Sequence, residues 1–189
     1  MFWDTNTTWE AGHALGHMGM AALPVLRAGF TNSDPLIRRA ALIGTVSANL
    51  AMPTLPDMRL LRHDSDDINA SIALRRLMQF GTSEEATQSA IESLTGARLR
   101  LRSTALHSLE YASIQTNRIV PVLVRLLDDP NPRFRLTVKN ALKRLDPVAA
   151  AAAAINTNPP PANTNRPAGR GRGRRPGPAG TNSPATPQQ

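Results

Sequence analysis

The stretch SDPLIRRAAL at positions 33–42 has three later counterparts in the chain. They read SDDINASIAL at 65–74, ARLRLRSTAL at 97–106 and PNPRFRLTVK at 130–139. Successive copies are offset by 32, 32 and 33 residues. Periods of 20 to 50 residues are typical of solenoids, in which one supersecondary unit recurs along the chain. The spacing therefore predicts an array of about four repeats.

Each repeat is expected to contain two helices separated by a turn. The first helices are predicted at 23–30, 55–62, 86–94 and 119–127, and the second helices at about 35–48, 67–79, 99–112 and 132–145. Asp34-Pro35 and Asn131-Pro132 are helix start signals, because Asp or Asn accepts hydrogen bonds from the first turn and proline has no N–H to leave unpaired. Asp146-Pro147 likewise predicts a last helix at about 147–155. One helical pair cannot bury its apolar faces alone, so neighbouring repeats are expected to complete the core.

Two stretches, LPVLRAGFTNSDPLIRRAAL (23–42) and VPVLVRLLDDPNPRFRLTVKNALKRLDP (120–147), resemble HEAT repeats of the short bacterial kind. The matching positions are Asp34, Pro35, Ile37, Arg38, Ala40, Ala41 and Leu42, and then Asn131, Pro132, Phe134, Arg135, Val138 and Leu142. The second copy departs at Asn69 and Ala70, and the third has Arg98 where an acidic residue is expected. The resemblance covers about 10–155 and implies an all-α, armadillo-like fold. That fold is an α-solenoid of stacked helical hairpins, which typically acts as a scaffold or adaptor.

An arginine recurs after the turn, at Arg38, Arg102 and Arg135. These cations could form a row for an anionic partner. Alternatively, each arginine contacts the turn acid or the carbonyls of an adjacent repeat and so fixes how the repeats stack, which the family resemblance favours. The positions expected to support the repeat are Asp34, Pro35, Arg38, Asp66, Arg102, Asn131, Pro132 and Arg135.

The chain is expected to divide into a helical repeat array at 1–155 and a disordered C-terminal tail at 156–189. Residues 10–19 resemble the end of a second helix without its partner, so the first repeat is incomplete. Either the array belongs to a longer protein, or Phe2, Trp3 and Trp9 fold back as a cap. The tail is rich in Pro, Gly and Arg, a composition that cannot offset the entropy of ordering.

The net charge of +8 is unevenly distributed, because residues 147–189 hold five arginines and no acidic residue. The segment PAGRGRGRRPGPAG (167–180) resembles the arginine–glycine segments of nucleic-acid-binding proteins. Its candidate contacts to nucleic acid or another anion are Arg170, Arg172, Arg174 and Arg175. A plain basic linker is the alternative. The sequence shows no apolar run of membrane-helix length and no recognisable signal peptide, so a cytoplasmic location is the default expectation.

Few residues indicate chemistry. The absence of cysteine excludes disulfides and thiolate metal sites. Glu10, His13 and His17 fall at i, i+3 and i+7 of a helix and are weak candidates for metal ligands. HDSDDIN (63–69) has the acid density of a calcium loop but no mid-loop glycine, so helix capping explains it better.

No phosphate loop and no nucleophile–base pair is evident in the sequence. Some helical-repeat relatives are bilin lyases or DNA glycosylases, but no residue set here matches either. We therefore expect a non-catalytic protein without a cofactor. The favoured function is a monomeric scaffold or adaptor that binds a protein partner, and the alternative is association with nucleic acid through the tail and a basic surface.

Overall fold

The computed structural model describes residues 5–153, except for the side chains of residues 5 and 6. This part of the chain contains ten α-helices and no β-strand. The helices are α1 Thr5–His17, α2 Leu23–Phe30, α3 Pro35–Ser47, α4 Ala51–Leu61, α5 Asp67–Phe80, α6 Ser83–Thr95, α7 Leu99–Ser108, α8 Thr116–Arg125, α9 Pro132–Leu145 and α10 Pro147–Ala152. Short 3₁₀ helices at Gly19–Ala22 and Leu126–Asp128 adjoin α2 and α8. The predicted all-α class is confirmed for the described residues.

The second helices begin at the predicted residues. Asp34 accepts a hydrogen bond from the Leu36 N–H, and Asn131 accepts from the N–H groups of Arg133 and Phe134. Asp66 caps α5 in the same way, because its side chain accepts hydrogen bonds from the N–H groups of Ile68 and Asn69. Each cap satisfies amide groups that the first helical turn leaves free. The turn chemistry read from the sequence therefore sets where these helices start.

Helix α2 begins at Leu23 as predicted, whereas the other three first helices begin earlier than predicted. Pro56 and Pro121 lie inside α4 and α8, so proline does not mark the start of either helix. Helix α6 begins at Ser83 because Thr82 and Glu85 form a capping box, in which each side chain accepts a hydrogen bond from the other residue's N–H. The second helix of the same repeat, α7, ends at Ser108. The sequence predicted that it would extend to about residue 112.

The helices pack in a regular order. Each second helix contacts the next one, so that α1, α3, α5, α7 and α9 follow one another. Each first helix packs against the second helix of its own repeat, which pairs α2 with α3, α4 with α5, α6 with α7 and α8 with α9. Helix α10 packs on α9, as the prediction of a last helix required.

The core crosses the boundaries between repeats. The aligned residues Ala41, Ala73, Ala105 and Val138 are all buried. One apolar cluster extends from Ala70 in the second repeat to Ala150 in α10. Burial of this kind stabilises each helical pair through its neighbours, at about 25 cal/mol per Å² of apolar surface removed from water.

Glycines allow α1 and α3 to approach closely. A Cβ added at Gly12 would lie 2.7 Å from Ile43 Cβ, and one at Gly16 would lie 2.3 Å from Ser47 Cβ. Gly44 of α3 faces the same junction, because an added Cβ there would lie 2.6 Å from Leu26 Cδ2 and 3.3 Å from the Gly12 carbonyl oxygen. These distances leave no room for a methyl group. The Gly12 and Gly16 spacing therefore sets how α1 docks on the first complete repeat.

Candidate binding surface

The recurring arginines lie where consecutive repeats meet. Arg38 donates from Nε and Nη2 to the two carboxylate oxygens of Asp64, at 2.6 and 2.8 Å. Its Nη1 also donates to the carbonyl oxygens of Asn32 and Ser33 in its own turn. Arg38 is 12% exposed and Asp64 only 2%, so this bidentate pair is almost fully removed from solvent. The pair joins the turn of one repeat to the turn of the next.

The same arrangement recurs between the third and fourth repeats. Arg102 pairs with Asp129, whose side chain is 5% exposed, and its guanidinium lies 4.1 Å from the centroid of the Phe134 ring. Both acids lie two residues before the cap of the following second helix. Arg135 differs, because it donates only to carbonyl oxygens of its own turn, those of Asp129 and Pro130. The contact to an adjacent repeat thus holds for Arg38 and Arg102 but not for Arg135.

The second and third repeats, which depart from the pattern, contact the repeat before each of them through other residues. Asn69 is fully buried, and its side chain donates to the Pro35 carbonyl oxygen while its Oδ1 accepts from Arg39. Arg98 donates to Asp67 Oδ1 at 2.6 Å and to the Asp64 carbonyl at 2.7 Å. At Arg98 the departure from the repeat pattern therefore exchanges the charges of the contact between repeats without removing it.

Ion pairs between repeats account for the acidic residues of the second helices. Nine ion pairs occur within residues 5–153, and each joins residues 26 to 34 positions apart, which is about one repeat. Asp67 is the only acidic residue in α5, α7 and α9, and it pairs with Arg98. Glu110, just after α7, pairs with Arg144.

The remaining cations of these three helices have no carboxylate partner within the described residues. They are Arg75, Arg76, Arg100, Arg133, Arg135, Lys139 and Lys143. Burial, with the nearby charge of Arg75, lowers the pKa of Arg76 from its ordinary value. Its nearest partners are neutral, namely the Gln79 side chain and the Phe80 ring. The three helices consequently carry more positive than negative charge.

Two adjoining cavities are lined in part by residues of α5 and α7. The first, of about 330 Å³, has an apolar wall formed by Trp9, Ile43, Val46 and Ile72, and we call it the apolar cavity. Its lining also includes His13, Arg75 and Arg76. The second, of about 480 Å³, we call the cationic cavity. Its lining includes Arg75, Leu99, Arg100, Ser103, His107 and Tyr111. Arg75 contributes to both, and together the two cavities form what we call the second-helix face.

His13 is held in the wall of the apolar cavity with one nitrogen free. Its Nδ1 lies 2.9 Å from Ser47 Oγ, and its ring centroid lies 4.6 Å from that of Trp9. Its Nε2 is buried and has no hydrogen-bond partner. One ring nitrogen therefore has no hydrogen-bond partner, whichever tautomer the ring adopts. A buried polar atom without a partner costs about 1–3 kcal/mol.

The predicted metal ligands do not come together. Glu10 and His17 are exposed on α1, and His13 is engaged by Ser47 instead. No group of three His, Asp or Glu residues within 5–153 is close enough to hold a metal ion. In the acidic stretch 63–69, Asp64 and Asp66 accept from arginines and from the backbone of their own turn, as capping predicts.

Other predicted residues lie outside the described part of the chain. Phe2 and Trp3 belong to this group, as do Arg170, Arg172, Arg174 and Arg175 of the tail. Trp9, the third residue of the expected cap, is 57% exposed. Among residues 5–153, no helix has both the length and the apolar character that crossing a bilayer requires.

The sequence analysis did not find the second-helix face. Several of its lining residues occupy the same repeat position, such as Ile43, Arg75 and His107, but the residue type changes from repeat to repeat, so no single motif marks them. One signal was present, because the segments of α7 and α9 contain several basic residues and no acidic one. Comparison with protein-family models and with curated proteins finds no match to this sequence.

Proposed function

We propose that this chain is a non-catalytic, HEAT-like α-solenoid that acts as a scaffold and binds a protein partner on its second-helix face. The stepwise helix contacts and the ion pairs one repeat apart support the solenoid arrangement. The observation that carries the function is the uncompensated charge of α5 and α7 beside two cavities. A surface of unpaired cations favours an oppositely charged partner and accelerates its association.

A photo-crosslinking experiment tests this proposal. The full chain would carry benzoylphenylalanine in place of Tyr111, which is 48% exposed in the cationic cavity. The matched control carries it in place of Leu60, which is 77% exposed on first helix α4. In lysate of the cells that make the protein, we expect a discrete protein adduct from position 111 and none from position 60. Equal labelling from both positions, or no adduct at 111, would contradict the proposal.

Nucleic-acid binding is the second candidate function, and the same unpaired arginines favour it. Arginine and lysine neutralise phosphates, and the resulting affinity falls steeply as salt concentration rises. Filter binding of a 30-nucleotide single-stranded RNA, measured from 50 to 200 mM salt, tests this function. Replacing Arg170, Arg172, Arg174 and Arg175 with alanine separates the contribution of the tail from that of the second-helix face. Absence of binding at 50 mM salt would exclude this function.

A further inference from the structure

The apolar and cationic cavities differ in chemistry although they share Arg75. Ile43, Val46 and Ile72 give the first cavity an apolar wall, and its two arginines, Arg75 and Arg76, both come from α5. Arg100 and His107 give the second cavity a basic wall, together with the hydroxyl of Ser103. A ligand that covers both cavities is therefore complementary if it places an apolar group against the apolar wall and anionic groups against the arginines.

The charge of the chain indicates that the anionic end comes from another molecule. The acidic residues on or beside α5 and α7, Asp67 and Glu110, are already paired with Arg98 and Arg144. The chain's own residues 147–189 contain five arginines and no acidic residue, so they are not complementary to this surface.

We propose that the second-helix face binds an acidic peptide segment of a partner protein. One apolar or aromatic side chain of the segment occupies the apolar cavity, and its carboxylates contact Arg75 and Arg100. This inference rests on the proposed scaffold function and specifies the partner's chemistry.

Helix geometry sets the spacing within the segment. The apolar cavity involves α1, α3 and α5, and the cationic cavity involves α5 and α7, so their centres are about one interhelical distance apart. Packed helices lie about 8–10 Å apart. An extended peptide rises about 3.3 Å per residue, which separates the anchor from the acidic group by about three residues.

The observations favour a peptide over nucleic acid. A phosphate backbone is anionic along its whole length, whereas the unpaired arginines of the two cavities belong to α5 and α7 alone. The ring of Trp9 is an aromatic group that could stack on a base, but it already packs against the His13 ring. Binding single strands without sequence preference generally combines a continuous basic groove with several such aromatic groups.

Selection from a random 12-residue phage-displayed peptide library on the immobilised full chain tests the inference. We expect enriched peptides to carry an apolar or aromatic residue with Asp or Glu two to four positions away. Affinities would be measured with synthetic peptides on a Trp3→Phe background, which leaves Trp9 as the only tryptophan and makes its fluorescence report on the apolar cavity.

Variants then locate the binding. Arg75→Ala and Arg100→Ala should each weaken the selected peptides about fivefold, which corresponds to about 1 kcal/mol. Arg125→Ala is the matched control, because Arg125 is also exposed and has no ion pair within the described residues but lies on first helix α8. It should leave affinity unchanged, as should alanine at the four arginines of the 170–175 segment. The exposed position of Arg75 and Arg100 makes unfolding of their variants an implausible cause of lost affinity.

The outcomes separate this inference from the scaffold proposal. The enriched peptides could be neutral or basic and still bind more weakly to the Arg100→Ala variant or quench the fluorescence of Trp9. That result would overturn the proposal of an acidic partner but would support binding at the second-helix face. Failure to enrich any peptide, or binding that all variants leave unchanged, would overturn both. Single-stranded RNA that competes with the peptides and binds more tightly in 150 mM salt would assign the face to nucleic acid instead.

Discussion

Removing Arg38 should destabilise the fold far more than removing an exposed arginine that makes a comparable ion pair. The side chain of Asp64 is 2% exposed in the intact chain, and Arg38→Ala removes both of its arginine bonds and leaves the Asp66 N–H at 2.8 Å as its remaining donor within its own turn. Breaking a buried pair by removing one partner costs about 3–5 kcal/mol, because the remaining charge stays buried without compensation. The matched control is Arg59→Ala. Arg59 and Glu85 are also 26 positions apart, but their side chains are 47% and 29% exposed.

The control should cost only about 0.2–1 kcal/mol, as is usual for exposed ion pairs. Urea unfolding of the full chain, followed by circular dichroism at 222 nm, measures both variants. With an m-value of about 2 kcal/mol per M, the loss for Arg38→Ala lowers the midpoint by about 1.5–2.5 M. Asp64→Asn should be milder, at about 1.5–3 kcal/mol, because Arg38 keeps its carbonyl partners Asn32 and Ser33.

A double-mutant cycle completes the test. Arg38→Ala with Asp64→Ala should cost less than the sum of the two single substitutions, since the double variant leaves no buried charge. Equal midpoints for Arg38→Ala and Arg59→Ala would refute the argument, because the Arg38 pair is both more buried and bidentate, whereas Arg59 donates one bond to Glu85.

Three further predictions concern pH, packing and capping. The bond from Arg38 lowers the pKa of Asp64, and the bonds to Asp129 outweigh its burial and lower its pKa too. The unfolded chain therefore binds more protons than the folded chain, so the free energy of unfolding should be greatest above about pH 5 and should fall as pH drops through about 4. The fall should be less steep in the Arg38→Ala variant. Urea unfolding midpoints measured from about pH 3 to about pH 7 test both expectations. Gly16→Ala should cost about 1–3 kcal/mol because its Cβ would meet Ser47 Cβ at 2.3 Å, whereas Gly96→Ala, whose tightest contact is 3.2 Å, should cost less; thermal midpoints distinguish them. Asn131→Ala should cost about 1 kcal/mol in the same assay, and no loss would contradict its role as the cap of α9.

The sequence predicted the second helices well because their start signals are local. An Asp or Asn cap followed by proline acts within three residues, and the structure places hydrogen bonds at those positions. The predicted starts of the first helices were less accurate, because the prediction took proline as the sign of a helix start. Proline is tolerated within α4 and α8, and the Thr82–Glu85 capping box carries the start signal of α6.

The partners of the recurring arginines could have been read from the sequence. Arg38 and Asp64 are 26 positions apart, and Arg102 and Asp129 are 27 apart. Where Ala70 replaces the arginine in the second repeat, Gly96 replaces the corresponding acid. This paired loss indicates a contact between those two positions. The cavities could not be predicted in this way, because they depend on how side chains of two or three helices converge.

Stacking and binding use the same arginine–carboxylate chemistry at different depths, which makes them separable. Asp64 and Asp129 are almost fully buried at the junctions between repeats, so an incoming acidic segment cannot reach their arginines without separating the repeats. Arg75 and Arg100 are exposed and have no carboxylate partner among residues 5–153, so binding there requires no native pair to break. Substitutions at Arg75 and Arg100 should therefore change affinity at constant unfolding midpoint, and those at Arg38 should change the midpoint first. If the substitutions at Arg38 and those at Arg75 and Arg100 all changed both the affinity and the unfolding midpoint, binding and repeat stacking would have to be coupled.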